Sequence, residues 1–181
     1  MNRLALIEAG RALFAERGYD VPLSAVAKAA GVGQGVLYRH FPTRASLAFA
    51  VFAQNVDELE RLAARHAGDD GALGVLLGQL LGSVRTSAAF VDAVAHAAAH
   101  EVTAWDGLAL IEALLAGPLA RAQEAGRVRP DLSVDDLLLL VRMAYGAVTT
   151  QPDAGLARAA ILRVVALVDQ RLVEAVEPAL A

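Results

Sequence analysis

The sequence predicts an all-α chain of about nine helices. Three observations lead there. Of 181 residues, 56% are apolar but only 5% aromatic, so Ala, Leu and Val carry the apolar content, and Ala and Leu favour helix. Apolar residues recur three and four positions apart, the spacing of one helix face. No segment shows the two-residue alternation of a half-buried strand, and there is no internal repeat or low-complexity tract.

The first helix is expected at 4–17, with Leu6, Ala9, Leu13 and Phe14 on one face and Gly18 as its stop. A short helix follows at 22–30. Pro22 stands near its start, where a missing N–H does no harm, and Gly31 ends it. A third runs from about Val32 to His40, with Val32, Leu37 and Phe41 as the residues to bury. Phe41-Pro42-Thr43 breaks the chain, and Thr43 can cap a long helix at about 44–66. The loop Gly68-Asp69-Asp70-Gly71 separates it from segments at about 72–84, 87–101 and 105–125, the last bent at Gly117-Pro118. After a loop at 126–132, Ser133 caps a helix at 133–149, and a final helix covers 154–176.

Length permits one core or two small ones. No run approaches the roughly 18 uninterrupted apolar residues that a membrane span needs. Glu8 and Arg11 interrupt any signal-peptide core at the N-terminus. The absence of cysteine excludes disulfides and thiolate chemistry, and a cytoplasmic location is the default. The net charge of −4 hides an asymmetry. Residues 1–50 hold six basic and three acidic side chains, while residues 51–181 hold ten and seventeen. A basic head on an acidic body suits a head that meets a polyanion; chance clustering of surface charge accounts for the same numbers.

Residues 31–41, GVGQGVLYRHF, do not read as core filler. Two short helices joined at Gly31 make a helix-turn-helix, whose turn needs a residue that tolerates positive φ. The second helix of such a motif brings its N-terminal residues to base edges in the major groove. Here these are Gly33, Gln34 and Gly35. Small residues let the backbone come close. The Gln34 amide donates and accepts together, which suits adenine's major-groove edge. Tyr38, four residues on, shares that helix face and can reach a phosphate. His40 and Arg44 at the far end can meet the DNA backbone.

Residues 6–47, beginning LIEAGRALFAERGYD and ending GVGQGVLYRHFPTRASL, resemble the DNA-binding head of the TetR family of bacterial transcriptional regulators. Leu13-Phe14, Gly18-Tyr19, Gly31-Val32, Leu37-Tyr38 and Phe41 fall in the family's order. The resemblance implies a DNA-binding domain at 1–46 and a ligand-binding and dimerisation domain at 47–181. It implies a homodimer on one palindromic operator in double-stranded DNA, and a repressor released by a small-molecule effector. It places Gln34 and Gly35 at bases, Tyr38, His40 and Arg44 at phosphates, and Ser24 at either.

In the body, the helices at 133–149 and 154–176 are the expected dimer contact. In the last helix Ala160, Ile161, Val164, Val165, Val168, Leu172 and Val176 make an apolar stripe. Phe90, Trp105 and Tyr145, with Met143, are candidates to line a largely apolar effector pocket; such residues also serve as plain core. Asp92, His96 and His100 stand at i, i+4 and i+8 beside Glu101, a spacing that could hold a metal. No second helix offers a Cys or His partner, so a polar stripe is the preferred reading and no cofactor is expected. His66 reads as a solvated helix-end residue, and Arg127 to Asp131 as a solvated charged loop. No nucleophile–base or paired-carboxylate arrangement stands out, so an enzyme is not expected. The alternative is a helical ligand-binding or adaptor protein whose head no longer binds DNA.

Overall fold

The computed structural model describes residues 2–84, 106–151 and 153–180. Among them are nine α-helices, one short 3-10 helix and no strand. The expected helix at 87–101, with Phe90, Asp92, His96, His100 and Glu101, lies outside the described residues, as does Trp105. The chain divides into two compact units, the first centred on residues 2–56 and the second on 57–84 with 108–180. None of the described helices is long and apolar enough to cross a membrane.

In the first unit, α1 spans Asn2–Arg17, α2 Leu23–Ala29 and α3 Gln34–His40, and α4, Arg44–Arg65, begins there. α1 buries Leu6, Ile7, Gly10 and Phe14. A side chain at Gly10 would press on Leu47 and Val51 at 3.3 Å, so Gly10 lets α1 lie close to α4. Arg11 ties the same pair by donating to Gln54 Oε1 at 2.6 Å and to the Val51 carbonyl at 3.3 Å.

Glycines stop these helices as the sequence predicts. Gly18 has φ +78 and donates to the Phe14 carbonyl at 2.9 Å. Gly31 has φ +67; it donates to Lys28 at 3.1 Å, and Val32 donates to Ala27 at 3.0 Å. That bond pair closes the end of α2 around one left-handed residue, a conformation glycine adopts without strain. The turn continues to Gly33, so α3 starts at Gln34 rather than at Val32. Leu37 and Phe41 are buried as expected, whereas Val32, in the turn, is only half-buried.

The second unit contains α5 (Ala72–Gly82), α7 (Val134–Thr149), α8 (Ala154–Val168), α9 (Leu172–Val176) and the 3-10 turn Glu177–Leu180, with α6 (Gly107–Glu124) leading into it. Pro118 lies inside α6 without ending it. Ser133 caps α7, accepting from the Asp136 N–H while Asp136 accepts from the Ser133 N–H at 2.9 Å and its hydroxyl at 2.8 Å. Those two bonds, the backbone one first, hold the Asp136 carboxyl below the usual carboxylate value.

α7 and α8 pack together along one face, burying Leu137, Leu140, Ala144 and Val148 on one helix and Ala157, Ile161 and Val165 on the other. Ile161 and Val165 therefore belong to the interior of their own unit. The single helix expected at 154–176 is instead two, and its stripe does not continue to Leu172 and Val176. Asp169 is the reason. Its backbone is extended (φ −153, ψ 116) and its buried carboxylate accepts from Arg129 N–H at 2.6 Å and Arg171 N–H at 3.0 Å. Past that break the chain turns onto α5, where Leu172 and Val176 are buried. The large apolar side chains left exposed on α7 and α8 are Leu139, Met143, Leu156 and Leu167.

At Gly74 and Gly78, α5 meets the C-terminal segment closely, with only the Ala175 and Ala179 methyls between the two backbones. A Cβ on Gly74 would fall 2.6 Å from the Ala175 Cβ, and one on Gly78 would fall 2.5 Å from the Ala179 Cβ. Arg158 holds the segment from α8, through the Leu180 carbonyl at 3.1 Å and Glu177 at 3.3 Å. The two stretches expected to be solvated carry ion pairs at the surface. His66 pairs with Asp69 at 3.1 Å, Arg127 with Asp70 at 3.3 Å, and Arg129 with Asp131 at 2.9 Å.

Candidate nucleic-acid interface

The three glycines of residues 31–35 separate into two kinds. Gly31 is required by its own backbone, at φ +67. Gly33 and Gly35 are not: neither has positive φ, and a Cβ on either would meet nothing within 4 Å. Gly33 is the N-cap of α3 and makes no side-chain cap, although Ser, Thr, Asn or Asp there would satisfy an orphan N–H. Gly35 lies in the first turn of α3, where glycine is a poor helix former. Neither glycine is required by its backbone or by crowding, and together they leave the start of α3 without side chains on either side of Gln34.

Gln34, between them, is exposed, as are Ser24 and Lys28 on α2. Pro22, Ser24, Lys28, Val32, Gly33 and Gln34 line an open hollow of about 650 Å³. Tyr38 follows Gln34 by one turn of α3 and is 50% exposed. His40 ends α3 and is exposed, its ring centroid 6.4 Å from that of buried Phe41. Arg3 lies over the Phe41 ring at 5.4 Å, joining the start of α1 to the end of α3.

Arg44 opens α4. Thr43 caps that helix, accepting from the Ser46 N–H at 3.0 Å while its own N–H donates to Ser46 Oγ at 3.2 Å. Arg44 is not a free cation. Its Nη1 donates to Asp20 Oδ1 at 3.1 Å and its guanidinium carbon lies 5.3 Å from the centre of the Tyr19 ring. Two exposed cations here, Lys28 and Arg39, are absent from the set inferred from sequence. Lys28 is the only lysine of the chain and stands four residues after Ser24, a spacing that puts it on the same face of α2. Of the pocket candidates, Tyr145 is half-buried on α7, and Phe90 and Trp105 lie outside the described residues.

A three-helix head with a buried Leu–Phe underside and a bare, amide-bearing helix start is a helix-turn-helix module, the class that lays its second motif helix in the major groove of DNA. Comparison with known proteins then gives the family. Residues 6–51 match the model for bacterial regulatory proteins of the tetR family, and residues 70–168 match that for the C-terminal domain of SbtR-like transcriptional regulators. The chain belongs to the TetR family, and it is a DNA-binding transcriptional regulator rather than an enzyme.

Similar solved structures agree. A TetR transcription regulatory protein from Mycobacterium vanbaalenii is 37% identical over 78% of this chain and 87% of its own, with a TM-score of 0.57. The TetR-family protein CprB from Streptomyces coelicolor A3(2) is 26% identical over 92% and 85%, with a TM-score of 0.60. The regulator SCO0520 from Streptomyces coelicolor is 24% identical over 93% and 97%, with a TM-score of 0.61, and shares the fold. Comparison with curated proteins gave no match.

Proposed function

We propose that this chain is a repressor that binds a palindromic operator as a homodimer and leaves it when a small, largely apolar effector binds. The DNA-binding domain is 1–46, and 47–181 carries the effector and the dimer contact. The observation that supports the DNA-reading role most directly is the exposed Gln34 between two glycines that the fold does not need. Gln34 reads a base edge, and Gly33 and Gly35 let the helix start approach it. Ser24, Tyr38, His40 and Arg44 meet the sugar-phosphate backbone and fix the register, as such contacts do. Lys28, facing the same hollow as Ser24 and Gln34, adds a further cation.

Two copies meet through α7 and α8. What supports that surface is the apolar area left uncovered, Leu139 and Met143 one turn apart on α7 and Leu156 and Leu167 on α8. Two-fold pairing sets the heads to read half-sites about one helical turn, 34–36 Å, apart. The effector needs only to prefer one of two packings of the body that differ in head spacing.

The test is a gel-shift on the DNA upstream of the chain's own gene, with Gln34→Ala beside it. Gln34→Ala is expected to weaken operator binding by about 1–3 kcal/mol and to relax base preference. No shift with the unmodified chain, or an equal loss by Gln34→Ala on operator and unrelated DNA, would refute the assignment.

A further inference from the structure

We propose that Asp20 is a built-in competitor for the phosphate that Arg44 meets, so that the head carries its own brake on sequence-independent DNA binding. This rests on the reading of residues 1–46 as the DNA interface. Arg44 and Asp20 are unequal partners. The Arg44 guanidinium lies over the Tyr19 ring, its Nε is buried without a hydrogen-bond partner among the described residues, and its side chain is 34% exposed. Asp20 is 96% exposed, and among the described residues its side chain bonds to Arg44. The cation is fixed by packing, while the carboxylate is held only through the cation. A guanidinium donates to carboxylate and to phosphate through the same fork of N–H groups. The carboxylate is therefore the member that can be exchanged for a phosphate while the arginine stays in place.

The local backbone delivers Asp20 to this position. Gly18 at φ +78 ends α1, and the chain runs through Tyr19 and Asp20 back toward the start of α4. The acids of the first fifty residues are Glu8, Glu16 and Asp20. Glu16 pairs with its neighbour Arg17 at 3.3 Å, so Asp20 reaches the cation expected to meet DNA while Glu16 is held elsewhere. Binding a phosphate at Arg44 then means giving up the Asp20 pair. An exposed ion pair contributes about 0.2–1 kcal/mol, so that exchange weakens DNA binding by about 1.5- to 5-fold at each head. The loss falls on every sequence alike, because a phosphate contact carries no base information.

The experiment is an anisotropy titration of the full chain on a short mixed-sequence duplex, over a range of salt. Asp20→Asn keeps the shape and removes the charge. It is expected to bind about 1.5- to 5-fold tighter per head, with a steeper loss of affinity as salt rises, because Arg44 then meets phosphate unopposed. In an Arg44→Ala background the same substitution is expected to leave affinity where Arg44→Ala alone put it. If Asp20→Asn still tightens binding there, Asp20 repels DNA directly and the competition is refuted. Unchanged or weaker binding by Asp20→Asn alone also refutes it, since the pair would then be orienting Arg44 for DNA. Circular dichroism checks that each variant is folded, with Arg44→Gln replacing Arg44→Ala if the latter is not. An unmodified chain that bound no duplex at any salt would instead overturn the reading of the head as a DNA interface.

Discussion

Gly35→Ala separates what the fold needs from what DNA needs, because the two effects have opposite sign. The added methyl meets nothing within 4 Å, and the backbone at Gly35 is not in the left-handed region. No strain or clash follows. Alanine in a helix is favoured over glycine by roughly 0.5–1 kcal/mol, and a first-turn position realises part of that. Urea unfolding at fixed protein concentration should therefore show a small gain in stability. In the proposed DNA interface, the same methyl would stand between the start of α3 and the base edges. Holding that backbone back by about 1 Å stretches the Gln34 bonds beyond hydrogen-bonding range. A bidentate pair of this kind is worth about 1–3 kcal/mol, so operator affinity should fall by roughly 5- to 150-fold per head. The assay is fluorescence anisotropy on labelled upstream DNA, run beside the unfolding curve. Stability up with affinity unchanged would refute the claim that Gly35 is there for close approach. Stability down would refute the claim that the space around it is open.

Further outcomes follow from the body. Gly78→Ala places a Cβ 2.5 Å from that of Ala179; overpacking of this kind costs about 1–3 kcal/mol, and an unchanged melting temperature would show that the C-terminal segment gives way freely. Asp136 has its folded carboxyl held below the ordinary value by the Ser133 N–H and hydroxyl. Its contribution is therefore present above the ordinary carboxylate range and lost as pH falls through the folded value. Chemical denaturation at neutral and at acid pH should show Asp136→Asn losing less stability on acidification than the unmodified chain, and equal losses would count against the capping account. Leu167→Asp, at a side chain 67% exposed, should yield a folded monomer by light scattering if α8 forms the dimer contact; a dimer that survives it, and Met143→Asp as well, places that contact elsewhere.

The sequence by itself determined the fold class, most helix ends and the location of the helix-turn-helix, because each of those signals is local. Gly18 and Gly31 stop helices through bonds that reach at most five residues back, and Thr43 and Ser133 cap helices through bonds three residues long. Apolar spacing within one helix was enough to mark Leu37 and Phe41 for burial. Only the tertiary structure decided the rest, because the partners are far apart in the chain. The final helix breaks at Asp169 because its carboxylate bonds to a backbone N–H forty residues earlier. The need for glycine at 74 and 78 appears only when Ala175 and Ala179, about a hundred residues later in the chain, are seen against them. Arg44 reads as a free cation for DNA until Asp20, twenty-four residues before it, is found on its guanidinium. Gly33 and Gly35 combine both: their identities are written in the sequence, but only the empty space around them shows that neither backbone nor crowding among the described residues requires glycine there.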